Sequence, residues 1–83
     1  MTIKLVNGNK FDWMGLYINN ELVFQADFID YEDIFEQINK KIENNYMKIK
    51  DRFYFENVYC DDEWLDEKGF DFPAFYHQVV LAE

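Results

Sequence analysis

The chain has 83 residues and carries a formal net charge of −9, from 17 acids against eight Lys and Arg. That charge repels nucleic acid and anionic membranes, so neither is expected as a direct partner. A single cysteine, Cys60, excludes an internal disulfide and suits a reducing compartment; no apolar run approaches the ~20 residues of a membrane span and no stretch has the form of a signal peptide, so a cytoplasmic protein is expected.

A chain this short makes one domain, residues 1–83, and is marginal unless its core is dense. Aromatic residues make up 20% of it, and each buries roughly 150–250 Å², so a core without disulfides is feasible. Three Gly and one Pro argue against a disordered or fibrous chain.

In chain order, Thr2 to Val6 reads as a strand, and Asn7-Gly8 as a tight turn back into a second strand starting near Lys10. Phe11 to Phe28, FDWMGLYINNELVFQADF, is the stretch around which the rest is organised. Asparagine tolerates the positive φ of a two-residue type I′ turn, so Asn19-Asn20 closes a hairpin between two apolar runs. In regular register Ile18 faces Glu21, Tyr17 faces Leu22, Gly15 faces Phe24 and Trp13 faces Ala26. One face then holds Phe11, Trp13, Gly15, Tyr17, Leu22, Phe24, Ala26 and Phe28, with Phe24 over the bare Gly15 backbone. The other face is apolar in the middle, with Met14, Leu16, Ile18 and Val23, and acidic at its ends.

Asp30 is a good N-cap, with Glu32 and Asp33 in the first helical turn, where the dipole favours anions. Tyr31, Ile34, Phe35, Ile38 and Ile42 form one stripe at helical spacing, which predicts a helix from about Tyr31 to Glu43 packed on the sheet. Arg52 to Cys60 reads as a strand, and Met47 to Asp51 either begins it or forms a loop. A short acidic helix follows, capped by Asp61 or Asp62, ended by Gly69 and anchored by Trp64 and Leu65. Phe72-Pro73 is a turn. Phe75 to Leu81 reads as a last strand, or as a helix starting at Pro73. The expected fold is α+β: an antiparallel sheet of four or five strands, one main helix packed on it, and a short acidic helix.

Catalysis finds little support in these residues. There is no serine, Thr2 is the one threonine, and Cys60 and His77 would meet only through tertiary accident. The supply of Cys and His is too small for a zinc site, the acidic run lacks the alternating ligands and central Gly of an EF-hand loop, and no glycine-rich phosphate loop exists. No enzyme activity, cofactor or metal is therefore expected. Lys40, Lys41, Lys48, Lys50 and Arg52, with Tyr46 and Tyr54, make a small basic aromatic patch, but the global charge opposes nucleic-acid binding there.

The positive signal is acidic. Glu56, Asp61, Asp62, Glu63, Asp66, Glu67 and Asp71 put seven acids in sixteen residues, and Asp27, Asp30, Glu32, Asp33 and Glu36 span the strand-to-helix corner. Set side by side, such groups imitate a phosphate backbone and would occupy a groove that grips nucleic acid with Lys and Arg. Glu56, Asp61, Asp62, Glu63, Asp66, Glu67, Asp71, Glu32, Asp33 and Glu36 are the candidate partner-binding residues, with Tyr59 and Tyr76 as aromatic anchors.

The segment WMGLYINNELVFQ, with Ile29-Asp30 and Glu63-Trp64-Leu65, resembles a loose pattern in small uncharacterised phage and bacterial proteins. In size and charge the chain is also similar in type to phage-encoded inhibitors, including anti-CRISPR and uracil-glycosylase inhibitor proteins. That likeness implies an inhibitor that binds a basic, nucleic-acid-handling protein in the host cytoplasm and occludes its nucleic-acid site. The second reading is a self-associating structural or regulatory module, a homodimer joined through Met14, Leu16, Ile18 and Val23, whose acidity serves only solubility.

Overall fold

The computed structural model describes residues 1–45 and 53–83. Its elements are β1 (Thr2–Gly8), β2 (Met14–Ile18), β3 (Glu21–Ala26), helix α1 (Tyr31–Asn45), β4 (Tyr54–Cys60), helix α2 (Asp62–Glu67) and a 3₁₀ turn (Tyr76–Gln78). The four strands form one sheet in the order β3-β2-β1-β4. The fold is α+β as expected, but the sheet is mixed, because β4 pairs with β1 in parallel while the other two pairings are antiparallel. The reason is the helix. A 15-residue α1 runs about 22 Å back along the sheet at 1.5 Å per residue. It returns the chain to the end where β3 began, so the next strand runs parallel to β3 and to β1.

The Asn19-Asn20 turn forms as the sequence implies, with φ of 50° and 72°. Ile18 faces Glu21 and Tyr17 faces Leu22, but then the register shifts, and Leu16 faces Phe24, Gly15 faces Gln25 and Met14 faces Ala26. Val23 is the extra residue of a β-bulge. The bulge divides the aromatic face that regular alternation would build. Leu22 stays with Tyr17 and Trp13 on one side, while Val23, Phe24 and Ala26 join Leu16 and Ile18 on the other. Each side is then covered. Ile3, Leu5, Leu16, Ile18 and Ile29 pack against Ile34 of α1, and Val6, Tyr17 and Cys60 pack against Leu65 of α2 and Phe72. Met14, Leu16, Ile18 and Val23 therefore belong to the core under α1 and offer no outer patch.

Asn7-Gly8 does not form the expected tight turn. β1 continues through Gly8, and a loop over 9–13 leads into β2, with Asn7 facing Met14. The carboxylate of Asp62 holds this loop by accepting from the amides of Asn9 and Lys10, both at 2.9 Å. The loop folds over Gly8 so closely that a Cβ there would meet the Phe11 carbonyl at 2.6 Å.

α1 opens with a reciprocal cap: the Asp33 amide donates to Asp30 at 2.9 Å, and the Asp30 amide to Asp33 at 3.1 Å. α2 is capped by Asp61, which accepts from the Trp64 amide at 2.9 Å. It ends in a Schellman arrangement, with the Phe70 amide on the Leu65 carbonyl, the Gly69 amide on the Asp66 carbonyl and Gly69 at φ 65°. The tail is neither the strand nor the helix expected. It straps across the α2 side of the sheet from one edge to the other: Glu21 bridges Phe75 at the β3 edge, and Cys60 bridges Leu81 at the β4 edge. On the way the Phe72 ring lies over Gly15, where a Cβ would meet it at 2.6 Å, so Phe72 covers this backbone and Phe24 does not. The sequence assignment of Met47 to Asp51 lies outside the described residues.

Candidate interaction surfaces

The two acidic groups do not make one surface. α1 covers the Ile3/Leu5/Leu16 side of the sheet and α2 covers the Val6/Tyr17 side, so their carboxylates point away from opposite faces. Several are also committed to structure. Asp61 caps α2, Asp62 fastens the 9–13 loop, Asp33 closes the α1 cap, and Asp71 accepts from the Gln25 amide group at 2.9 Å. Glu56 forms an ion pair with Lys4 across β4 and β1, and Glu36 pairs with Lys40 at 3.4 Å on α1. The Glu56 contact also holds the Lys4 ammonium above its ordinary pKa. Glu32 is exposed in the first turn of α1.

Glu63, Asp66 and Glu67 resemble Glu32 and differ from the bonded acids. They are exposed, and no ion pair links them to another described residue. Their spacing of three and four places them on one side of a helix whose other side is pinned by Leu65 and Trp64. Local electrostatics opposes that arrangement. Like charges at these spacings repel by about 0.2–0.5 kcal/mol per pair, and Asp66 and Glu67 sit at the negative end of the helix with no base in the last turn.

Asp62 and the chains of acids do not converge on a cation. Among the described residues, no group of three His, Cys, Asp or Glu side chains is placed to hold a metal ion. Cys60 is fully buried in the α2-side core, and burial, reinforced by the carboxylates of Asp62 and Asp61, pushes its thiol up to about 11. His77 is exposed, stacked on Phe75 and bonded to Asn20 beside the hairpin turn. Of the two aromatic anchors, Tyr59 is exposed, whereas Tyr76 is half-buried edge-on against Tyr17. In the basic patch, Lys40 and Lys41 pair with Glu36 and Glu21, and Tyr46, Lys48, Lys50 and Arg52 lie outside the described residues.

A second surface escapes sequence reasoning. Tyr31 and Phe35, assigned above to the buried stripe of α1, are exposed. With Ile38, Phe53 and Phe55 they line an apolar groove of about 550 Å³ between α1 and β4. A stripe at helical spacing shows which side of a helix is apolar but not how much sheet lies beneath it. Among the described residues β4 is the edge, and the sheet ends before the stripe does. The one available signal is RFYFENVYC, which places aromatics on both sides of a single strand.

No protein-family model, curated protein or solved structure matches this chain. Among the described residues, no helix is long and apolar enough to cross a membrane.

Proposed function

We propose that this chain is a non-enzymatic inhibitor of the phage type, acting in the cytoplasm. It binds a basic, nucleic-acid-handling protein and occludes that protein's nucleic-acid site. The observation that carries this reading is the row Glu63, Asp66 and Glu67 on α2: exposed, without an ion pair among the described residues, and held together against mutual repulsion, with Asp66 and Glu67 also set against the helix dipole. A feature that opposes local stability without an evident structural gain points to function. Lysines and arginines on a partner would relieve the repulsion and give an association steered by charge. Glu56, Asp61, Asp62, Asp71, Asp33 and Glu36, already bonded within the fold, contribute field rather than direct contacts.

The test is capture from a bacterial lysate by the tagged chain, beside a Glu63→Lys/Asp66→Lys/Glu67→Lys variant, at low and high salt. The captured protein is then assayed for binding to a DNA or RNA probe with and without the chain. Capture of a nucleic-acid-binding protein that is lost on charge reversal and in high salt, with the probe displaced by the chain, is the expected result. Capture unaffected by reversal, or a probe that stays bound, would refute the reading.

A further inference from the structure

Both edges of the sheet are partly closed by the C-terminal strap, and they are closed unequally. At the β3 edge, the Leu22 amide bonds the Ala74 carbonyl and the Tyr76 amide bonds the Asn20 carbonyl, and the remainder of β3 is distorted by its bulge. At the β4 edge, the strap engages only the C-terminal end: the Asp61 amide donates to Val80, and the Ala82 amide to Tyr59. The Tyr54 amide bonds the Met1 carbonyl of β1, so alternation turns the backbone groups of Tyr54, Glu56, Val58 and Cys60 inward. The amides and carbonyls of Phe53, Phe55 and Asn57 then face outward, and none of them has a backbone partner among the described residues.

That open stretch lacks the devices that usually blunt an edge. It has no proline, no bulge and no lysine, and its one charge, Glu56, is neutralised by Lys4. In a chain of net charge −9, this is a neutral, aromatic strip. Its geometry is self-complementary. The outward-facing groups belong to Phe53, just before β4, and to Phe55 and Asn57 within it, and their midpoint is Phe55. Antiparallel pairing of two copies about Phe55 sets Phe55 opposite Phe55 as a hydrogen-bonded pair and Phe53 opposite Asn57, using the amides and carbonyls of all three residues and ending before the strap. Tyr31, Phe35, Phe53, Tyr54 and Phe55 are 76%, 63%, 49%, 60% and 50% exposed. At roughly 200 Å² per aromatic side chain they supply about 600 Å² per copy, before any backbone is counted. A stable interface buries about 800 Å² per partner.

We propose that the open half of β4 is the seam of a twofold homodimer, in which Phe53–Asn57 of two copies pair antiparallel about Phe55 and extend the sheet to eight strands. The two α1 helices then lie on the same side of that sheet and close the Tyr31/Phe35 groove from both ends. The seam is separate from Glu63, Asp66 and Glu67 and does not depend on the reading of those acids.

Sedimentation equilibrium of the full chain tests it. The expected result is a mass of twice 10.2 kDa at tens of micromolar, held more firmly in 0.5 M salt than in 0.05 M because salt screens repulsion between two acidic copies. Phe55→Lys, at a half-exposed side chain, should be monomeric with an unchanged circular dichroism spectrum. A wild-type chain that stays monomeric at 100 μM in high salt, or a Phe55→Lys chain that stays dimeric, would overturn the proposal. Should that variant fail to fold, cross-linking decides. Phe55→Cys should oxidise to a covalent dimer, and Tyr54→Cys, two residues out of register with its own copy, should not. Equal cross-linking of the two would overturn the register. A Glu63→Lys/Asp66→Lys/Glu67→Lys chain should dimerise like wild type, which separates failure of this seam from failure of the acidic surface.

Discussion

Gly15 is a position at which a single methyl group should be clearly destabilising. A Cβ built there meets the Phe72 ring at 2.6 Å at Cδ2 and at 3.0 Å at both Cγ and Cε2, where ordinary contact begins near 3.4 Å. The ring cannot slide away cheaply. Phe72 is almost fully buried, Tyr17 stands edge-on at 6.4 Å, Trp64 is tilted against it at 6.2 Å, and its own amide is tied to the Gln25 side chain at 3.0 Å. Overpacking of this kind costs about 1–3 kcal/mol. For a domain of this size, about 2 kcal/mol lowers Tm by roughly 8–16 °C. Thermal and urea unfolding of Gly15→Ala measure this directly, and a second substitution locates the clash. Phe72→Leu in the Gly15→Ala background should cost less than Phe72→Leu alone, because a smaller side chain makes room for the methyl. Phe24→Leu should show no such coupling, since the bulge places Phe24 on the other side of the sheet. An unchanged Tm for Gly15→Ala, or coupling to Phe24 instead of Phe72, would refute the packing described for this face.

Other substitutions probe the remaining contacts. Asp62→Ala strips two amides of their acceptor and should destabilise by about 1–2 kcal/mol, whereas Glu63→Gln next to it should be close to neutral; equal effects in urea titration would contradict the separation of structural from displayed acids. Glu67→Lys removes a like-charge pair and suits the helix end, so it should raise stability by about 0.5 kcal/mol while weakening capture of a basic partner. Tyr17 is buried and donates to the Pro73 carbonyl at 2.7 Å, so Tyr17→Phe should cost about 1 kcal/mol and loosen the strap, measured as faster amide exchange at Leu22 and Tyr76. Stability should fall at high pH. Burial raises the Cys60 thiol from 9.0 to about 11 and also raises the Tyr17 hydroxyl above 10, so the folded state binds more protons than the unfolded one in this range. The slope of stability against pH is then negative: the contribution is complete below about pH 9 and is lost as pH rises through 11, on the order of 2 kcal/mol for Cys60 alone. Lys4, held protonated by Glu56, acts in the same direction. Flat stability between pH 8 and 11 would show that these groups are not buried as described.

What the sequence by itself determined is local. Asn19-Asn20 specified the hairpin turn because few residues accept φ of 50° and 72°. Asp30, Asp61 and Gly69 marked helix ends because the unpaired amides and carbonyls there need partners within one turn. Alternation and helical spacing separated apolar from polar sides, and the lone Cys60 and His77 offered no reactive pair. Only the tertiary structure decided which side was covered, and by what. The parallel placement of β4 depends on where a 15-residue helix delivers the chain, and the bulge at Val23 on the need of both sheet faces for apolar side chains. The tail became a strap because Phe72 found Gly15 and the outer edges of β3 and β4 still had backbone groups to satisfy. The same long-range geometry committed Asp62 and Asp71 to structural bonds, left Glu63, Asp66 and Glu67 exposed, and left Phe53 and Phe55 beside an edge open among the described residues. Hydrogen bonds within a turn are set by neighbours in sequence. Burial and the position of an edge are set by contacts between distant segments, such as Phe72 over Gly15 and β4 beside β1, whose approach no local pattern encodes.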